Sequence, residues 1–459
     1  MPVTLVARKP RNARPVYCVT RASLPNSGAD AAALAWAKAN GFTGEPGRVL
    51  LVPGAGGKVA GALLGVAPAQ GEGLDALATG ALARALPAGD WYFATVPERP
   101  SLAALGAVLG GYAFTRYRVR EEPAIRLACP PQADVADVAR IAGGVTLARD
   151  LINTPANDMG PEAIEAAVRA LGRRHKATVS VVKGDALLRR NFPMIHAVGR
   201  ASAQAPRLIE LRWGPAAGPK VTLVGKGVAF DTGGLDIKPA AGMLLMKKDM
   251  GGAANVLGLA HMVMAAGLKV SLRVLVPAVE NAISAEAFRP GDVLTSRKGL
   301  TVEIGNTDAE GRLILADALA YADEEAPDLI VDMATLTGAA RVALGPELPP
   351  FFTDDETLAA QLTAAAVSEA DPLWRLPLWN GYDHKYASRI ADINNVNTDG
   401  FAGAIVAALF LRRFVGKAKS WAHFDVFGWN PVERPHCPIG GEAQAIRAID
   451  RVLRDRYGG

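Results

Sequence analysis

Cysteine is nearly absent from this chain, and so are long apolar runs. Three cysteines in 459 residues, Cys18, Cys129 and Cys437, include no CxxC pair and cannot build a disulfide framework. No apolar run approaches the roughly eighteen residues that a membrane-spanning helix needs. The nearest, residues 403–411 (GAIVAALFL), is ended by Arg412 and Arg413. The first twenty residues hold neither the apolar core nor the cleavage site of a signal peptide. A cytoplasmic location away from membranes is expected. No strong charge excess is present either: the net charge is +5 and the pI about 9.1, but the charges are scattered. Arg8-Lys9-Pro10-Arg11 is the densest basic cluster near a terminus, which speaks for a solvated surface rather than a nucleic-acid face.

What is present suits a large globular protein. Half of the residues are hydrophobic and 21% are charged, and a chain of this length should hold two or three domains. From residue 1 to about 126, strand-like runs (16–19, 49–52, 91–95) alternate with Ala/Leu-rich helical stretches (31–39, 73–86), an α/β pattern without a cluster of His, Asp or Glu. Gly54-Ala55-Gly56-Gly57-Lys58 imitates a phosphate loop, but Val59 stands where such a loop needs a hydroxyl, so a turn between strands is expected. Residues 129–132 (CPPQ) read as a linker, dividing the chain into a small α/β domain, 1–130, and a larger one, 131–459. Helices are expected over 134–153, 161–171, 252–266 and 313–324, and strands over 179–183, 208–213, 221–224, 271–276, 300–304, 329–332 and 421–426.

The polar residues concentrate where two of these strands end. Residues 224–250, VGKGVAFDTGGLDIKPAAGMLLMKKDM, place Lys226, Asp231, Lys238 and Asp249 among five glycines. Residues 305–312 (GNTDAEGR) place Asp308, Glu310 and Arg312 just before a helix. Four carboxylates beside Lys226, Lys238 and Arg312 suggest a metal site in a crevice at the edge of an α/β sheet. Singly, each residue has a plainer role: Asp308 and Glu310 could cap the helix that begins at residue 313, Arg312 could pair with one of them, and Lys238 could lie on the surface.

The octamer NTDAEGRL, with GKG, FDTGG, IKP and MKKDM at matching spacings, resembles the leucine aminopeptidase (leucyl or cytosol aminopeptidase) family of dinuclear-metal exopeptidases. The resemblance runs from about residue 149, where RDLINTPAN begins, to 429 and is weak before that. It implies a non-catalytic N-terminal domain, a catalytic domain with a mixed sheet flanked by helices, and a homohexamer. It also implies that Lys226, Asp231, Asp249 and Glu310 hold one divalent ion. Asp231, Asp308 (side chain and backbone carbonyl) and Glu310 would hold the other. Four carboxylates balance two dications if Lys226 is neutral, as a ligand must be. The all-oxygen site suits Mn²⁺ or Mg²⁺, and the site with a nitrogen ligand suits Zn²⁺. A hydroxide bridging the ions would attack the peptide carbonyl, which fits a chain with six histidines and no HExxH motif.

By the same resemblance Lys238 stabilises the oxyanion and Arg312 holds a bicarbonate that shuttles protons. Met246, Thr335, Gly338 and Phe427 would wall the pocket for the substrate's first side chain. Phe427 departs from the family, where a small residue is usual. Removal of an N-terminal residue, leucine or a related one, from peptides is the expected activity. Two alternatives carry weight at this point: a two-metal phosphoesterase with the same carboxylates, and an additional nucleic-acid-binding role, which some family members have. His423, His436 and Cys437 belong to no family motif, and packing roles are expected for them.

Overall fold

A computed structural model describes residues 3–67, 74–95, 97–119, 123–397 and 399–458. Two compact units divide the chain. The first takes Met1–Thr146 together with the later segments Val367–Asp371 and Asn430–Ile439; the second takes Leu147–Ala366, Pro372–Trp429 and Gly440–Gly459.

In the first unit six strands follow the order Val3–Val6, Ile125–Ala128, Gly89–Phe93, Arg14–Val19, Val59–Gly65 and Val49–Pro53. All pairs are parallel except the last, a hairpin closed through Ala55–Gly57. That hairpin disposes of the phosphate-loop likeness: a phosphate loop runs from a strand into a helix, whereas this chain turns straight back along its own strand. The helix Ala31–Ala39 appears as expected. The stretch expected as one helix over 73–86 forms a 3-10 helix, Leu74–Ala81, followed by a single α turn, Leu82–Ala85, and residue 73 lies outside the described residues. The strand Val59–Gly65 follows the expected turn, but the strands Val3–Val6 and Ile125–Ala128 and the helix Pro100–Gly110 went unforeseen, because short apolar runs do not reveal their type.

The second unit is built on a nine-stranded mixed sheet. Its centre is parallel, with Trp421–Asp425, Leu329–Ala334, Lys220–Gly225 and Ser271–Asn281 side by side and Gly227–Asp231 added along Ser271–Asn281. Arg207–Trp213 and Thr178–Lys183 extend one side antiparallel. Pro350–Phe352, antiparallel to Trp421–Asp425, extends the other. The parallel strands are mostly apolar because helices cover both faces, with Thr222, Arg273, Asp332 and His423 as buried polar exceptions. One such helix, Gly251–Ala266, is buried from Gly251 to Met264. Another, Gly311–Asp323, packs Ile314, Leu315 and Leu319 into the main core. Among the described residues, no helix is long and apolar enough to cross a membrane, and the three cysteines are free.

Asp317 fixes that second helix. Its fully buried carboxylate accepts from the backbone N–H groups of Met194 (2.8 Å), Ile195 (3.3 Å) and Arg297 (2.8 Å). An Asp317→Ala substitution would strand two buried donors and a partly buried one. We expect a loss of about 1–3 kcal/mol or more of stability, read as a lower urea midpoint at unchanged slope.

Candidate active site

The parallel strands converge at their carboxyl ends, and the polar residues stand there. Lys226 follows Gly225, Asp231 ends its strand, and Thr335 follows Ala334. The Lys226 N–H donates to the Met333 carbonyl at 3.0 Å, and the Ala253 N–H donates to the Lys226 carbonyl at 2.8 Å. The lysine is thereby locked between strand and helix. Asp249 arrives on the turn Met246–Met250, and Asp308 and Glu310 on the loop before Gly311–Asp323.

All five expected metal ligands and Lys238 meet in one place. The Lys226 ammonium lies 2.8 Å from Asp249 Oδ2 and 2.9 Å from Glu310 Oε1, and donates to the Thr335 carbonyl at 2.9 Å. Lys238 lies 2.8 Å from Asp231 Oδ2 and also pairs with Asp308 Oδ1. Oxygens of Asp231, Asp308 and Glu310 all fall within 4.8 Å of one another. Burial lowers the pKa of Lys226, but the charges of Asp249, Glu310 and Asp231 outweigh it and hold the ammonium above its ordinary value. Lys238 is raised in the same way by Asp231 and Asp308. Burial and the Asp231 charge push Asp308 up to about 6, and they raise Glu310 as well.

The plainer roles fail on this geometry. Glu310 occupies the N-cap position of its helix, yet its side chain makes no capping hydrogen bond. Arg312 Nη1 donates to the Asn395 carbonyl at 2.7 Å rather than to a carboxylate, and its Nε is buried with no acceptor. Lys238 is paired twice, so it is not a free surface lysine.

The cluster fits divalent cations. Four carboxylates against two ammonium groups leave a formal −2 in a mostly buried space. Asp249 Oδ2, Asp308 Oδ1 and Glu310 Oε1 are buried and have ammonium groups within ion-pair distance, but no donor is aligned on any of them. Free lone pairs on hard oxygens, in a pocket of negative charge, are what a dication takes up.

Sequence reasoning missed the residues that brace this cluster. Asn281 Nδ2 donates to Asp231 Oδ1 at 2.8 Å and to the Thr307 carbonyl at 3.2 Å. Thr335 Oγ1 donates to Asp249 Oδ1 at 2.8 Å. Asp425 accepts from the Leu336 and Thr337 N–H groups and from Thr337 Oγ1, which sets the next loop. Asn281 and Asp425 could have been flagged as polar residues at strand ends; Thr335 was read only as a pocket wall. His423 and Asp425, on the strand Trp421–Asp425, are both buried, and His423 Nδ1 meets Asp332 Oδ1 at 2.5 Å. The strand ends at Asp425, so Phe427 lies beyond it and its orientation is not set by strand alternation.

The cluster opens onto a cleft of ≈ 710 Å³. Met246, Thr335, Gly338 and Phe427, the four expected wall residues, all line it, and so do Lys248 and Arg341. The Phe427 ring is half-buried, and its N–H donates to Gln444 Oε1 at 2.9 Å.

A carboxylate-rich centre with two lysines at the carboxyl edge of a mixed sheet, open to a peptide-sized cleft, defines a metal-assisted hydrolase. The comparisons with known proteins narrow this. Residues 146–449 match the model of the cytosol aminopeptidase family, catalytic domain, and residues 15–130 match the M17 aminopeptidase N-terminal domain. A probable cytosol aminopeptidase of Geobacter sp. (strain M21) is 41% identical over 377 residues, 78% of this chain and 76% of the relative. The crystal structure of cytosol aminopeptidase from Coxiella burnetii superposes with a TM-score of 0.92 at 46% identity, covering 99% of both chains. The bottromycin maturation enzyme BotP, solved in complex with Mn, gives 0.88 at 35% identity over 97% of this chain and 99% of its own. The chain belongs to the cytosol aminopeptidase family. It is a metal-dependent aminopeptidase, a hydrolase acting on peptides; the phosphoesterase and nucleic-acid alternatives are not favoured.

Proposed function

We propose that this chain removes the N-terminal residue, leucine or one like it, from peptides at a centre holding two divalent ions. The observation that carries this reading is the convergence of Asp231, Asp249, Asp308 and Glu310 on Lys226 and Lys238. Lys226, Asp231, Asp249 and Glu310 would hold one ion, and Asp231, Asp308 and Glu310 the other, with Zn²⁺, Mn²⁺ or Mg²⁺ as candidates. When bound, the ions supply Lewis acidity and a water of lowered pKa.

The remaining steps belong to the protein's own groups. Asp249, beside Lys226, marks the end of the cleft for the substrate's α-amine, and an internal peptide bond has no amine to place there. Lys238 is the more open of the two ammonium groups, its side chain 15% exposed against 4% for Lys226. It therefore donates to the oxyanion that forms as the carbonyl is attacked. Arg312 is buried, lines the cleft and forms no ion pair among the described residues. Its guanidinium matches a planar bicarbonate, which would carry the proton toward the leaving amine. Release of free amino acid from a small set of dipeptides, with Mn²⁺ and with Zn²⁺, tests the reading. No release with either ion would refute it.

The domains serve this reading as a non-catalytic part, residues 1–130, and a catalytic part, residues 131–459, in a cytoplasmic homohexamer. Light scattering should give six chains per particle at micromolar concentration, and a monomer there would remove the hexamer.

Phe427 shapes the first-residue pocket. Its ring stands on the cleft wall with Met246, Thr335 and Gly338, so it shortens the space available to a bulky side chain. Phe427→Ala should raise kcat/KM for Leu relative to Ala substrates by at least about tenfold, since one methylene is worth about 1–3 kcal/mol in such a pocket. An unchanged ratio in a folded variant would show that the ring does not bound the pocket.

A further inference from the structure

Lys248 stands next to Asp249 on the same turn, and its charge is left over by the centre described above. The residue is only 7% exposed and lines the cleft. Among the described residues, no carboxylate oxygen lies within 4.0 Å of its ammonium and no acceptor takes a hydrogen bond from it. The nearby carboxylates are otherwise engaged. Asp249 faces Lys226 and Thr335, and Asp425 accepts from Leu336, Thr337 and the Thr337 hydroxyl. What Lys248 does face is the Phe427 ring, with Nζ 4.8 Å from the centroid. Arg341 faces the same ring, with Cζ at 5.2 Å, and it too lines the cleft and makes no ion pair among the described residues. A ring face attracts a cation weakly and does not replace a counter-ion. A largely buried ammonium without one is costly, and an anion arriving in the cleft would offset that cost.

We propose that Lys248 and Arg341, which both face the Phe427 ring on the cleft wall, form a subsite for a carboxylate on the first residue of the substrate, so that peptides beginning with glutamate or aspartate are preferred to their amides. This rests on the aminopeptidase reading, which sets the α-amine at Asp249, one residue from Lys248. The first side chain is then the part of the substrate that meets this wall. Phe427 favours the same outcome, because its ring removes depth that a branched apolar side chain would fill, while an extended anionic one needs only to reach two cations. The other carboxylate a small peptide can offer is its own C-terminus, and the experiment separates the two.

The assay uses the full-length metal-loaded protein and compares kcat/KM for Glu-Gly-amide and Gln-Gly-amide, which differ in charge but not in shape. Wild type should favour Glu by about tenfold or more, the scale of a charge-assisted contact. Lys248→Met should reduce that Glu/Gln ratio by about tenfold or more, and Arg341→Met by less, since Arg341 is exposed. The exposed position also makes Arg341→Met safe for folding, should Lys248→Met fail to fold. A wild-type ratio below one, or a ratio unmoved in the folded variants, overturns the proposal. So does a pattern in which the variants lose only the preference for Leu-Gly over Leu-Gly-amide, which would assign the cations to the peptide's C-terminus. If no substrate, acidic or neutral, releases an amino acid, the aminopeptidase reading itself has failed. Cleavage of neutral substrates alone refutes only the acidic subsite.

Discussion

Glu310→Ala is expected to lose bound metal and activity together, whereas Lys238→Met should keep its metal and lose activity alone. Glu310 is 1% exposed and faces Lys226 at 2.9 Å, inside the group of oxygens shared with Asp231 and Asp308. In the proposed assignment it touches both ions, so its removal weakens both sites. Residues that merely support metal ligands are worth about 10–100-fold, and a shared ligand should exceed that. Lys238 acts on charge that develops during the reaction. Removing a donor of that kind costs about 10²–10³-fold in kcat while leaving the ground state in place. Metal content per chain, measured beside kcat on the same preparations, separates the two cases. Equal metal in wild type and Glu310→Ala would sink the ligand assignment, and metal loss in Lys238→Met would make that lysine a support of the site. Since breaking a buried ion pair destabilises by about 3–5 kcal/mol, the Glu310 variant needs a folding control, and Glu310→Gln supplies a milder one.

The site was more legible in the sequence than the fold around it, for a physical reason. Lys226, Asp231, Lys238, Asp249, Asp308, Glu310 and Arg312 occupy two continuous stretches whose local spacing carries the chemistry, so each could be named before any contact was known. The helices over 134–153, 161–171, 252–266 and 313–324 and the central strands were equally visible, because burial imposes a period that neighbours in sequence reveal, whereas Glu356–Ser368, Gly403–Arg412 and Ile446–Tyr457 went unforeseen. What stayed hidden depends on partners distant in the chain. Asn281 braces Asp231 across 50 residues, and Asp425 orders the loop at Leu336 across 89. The return of Val367–Asp371 and Asn430–Ile439 to the first compact unit leaves no local trace either. Phe427 shows the same limit at one residue: it lies two residues past the end of the strand Trp421–Asp425, so no strand period fixes where its ring points.

Gly311→Ala should leave the fold intact and still cripple the enzyme. Gly311 opens the helix Gly311–Asp323 directly after Glu310, and its φ is not in the left-handed region, so alanine meets no backbone strain. Alanine is the better helix former by up to about 1 kcal/mol, which offsets part of the cost of disturbing the Lys226 ion pairs, so a folded protein with at most a modest drop in melting temperature is expected. The difficulty lies across the gap. A Cβ at this position would stand 2.5 Å from Lys226 Cε and 2.8 Å from both its Cδ and its Nζ, well inside van der Waals contact. Lys226 cannot retreat along its backbone, because its N–H and C=O are bonded to Met333 and Ala253. Only the end of the side chain can move, and that end carries the nitrogen facing Asp249 and Glu310. A displacement of about 1 Å at a reacting centre costs on the order of 10²-fold, and that is the loss in kcat/KM to expect. The metal site that includes Lys226 should weaken in parallel, which a metal titration by calorimetry would register as one altered and one nearly unaltered binding event. Wild-type turnover in Gly311→Ala would mean that Lys226 has room to shift without consequence, and its place among the ligands would fall with that result.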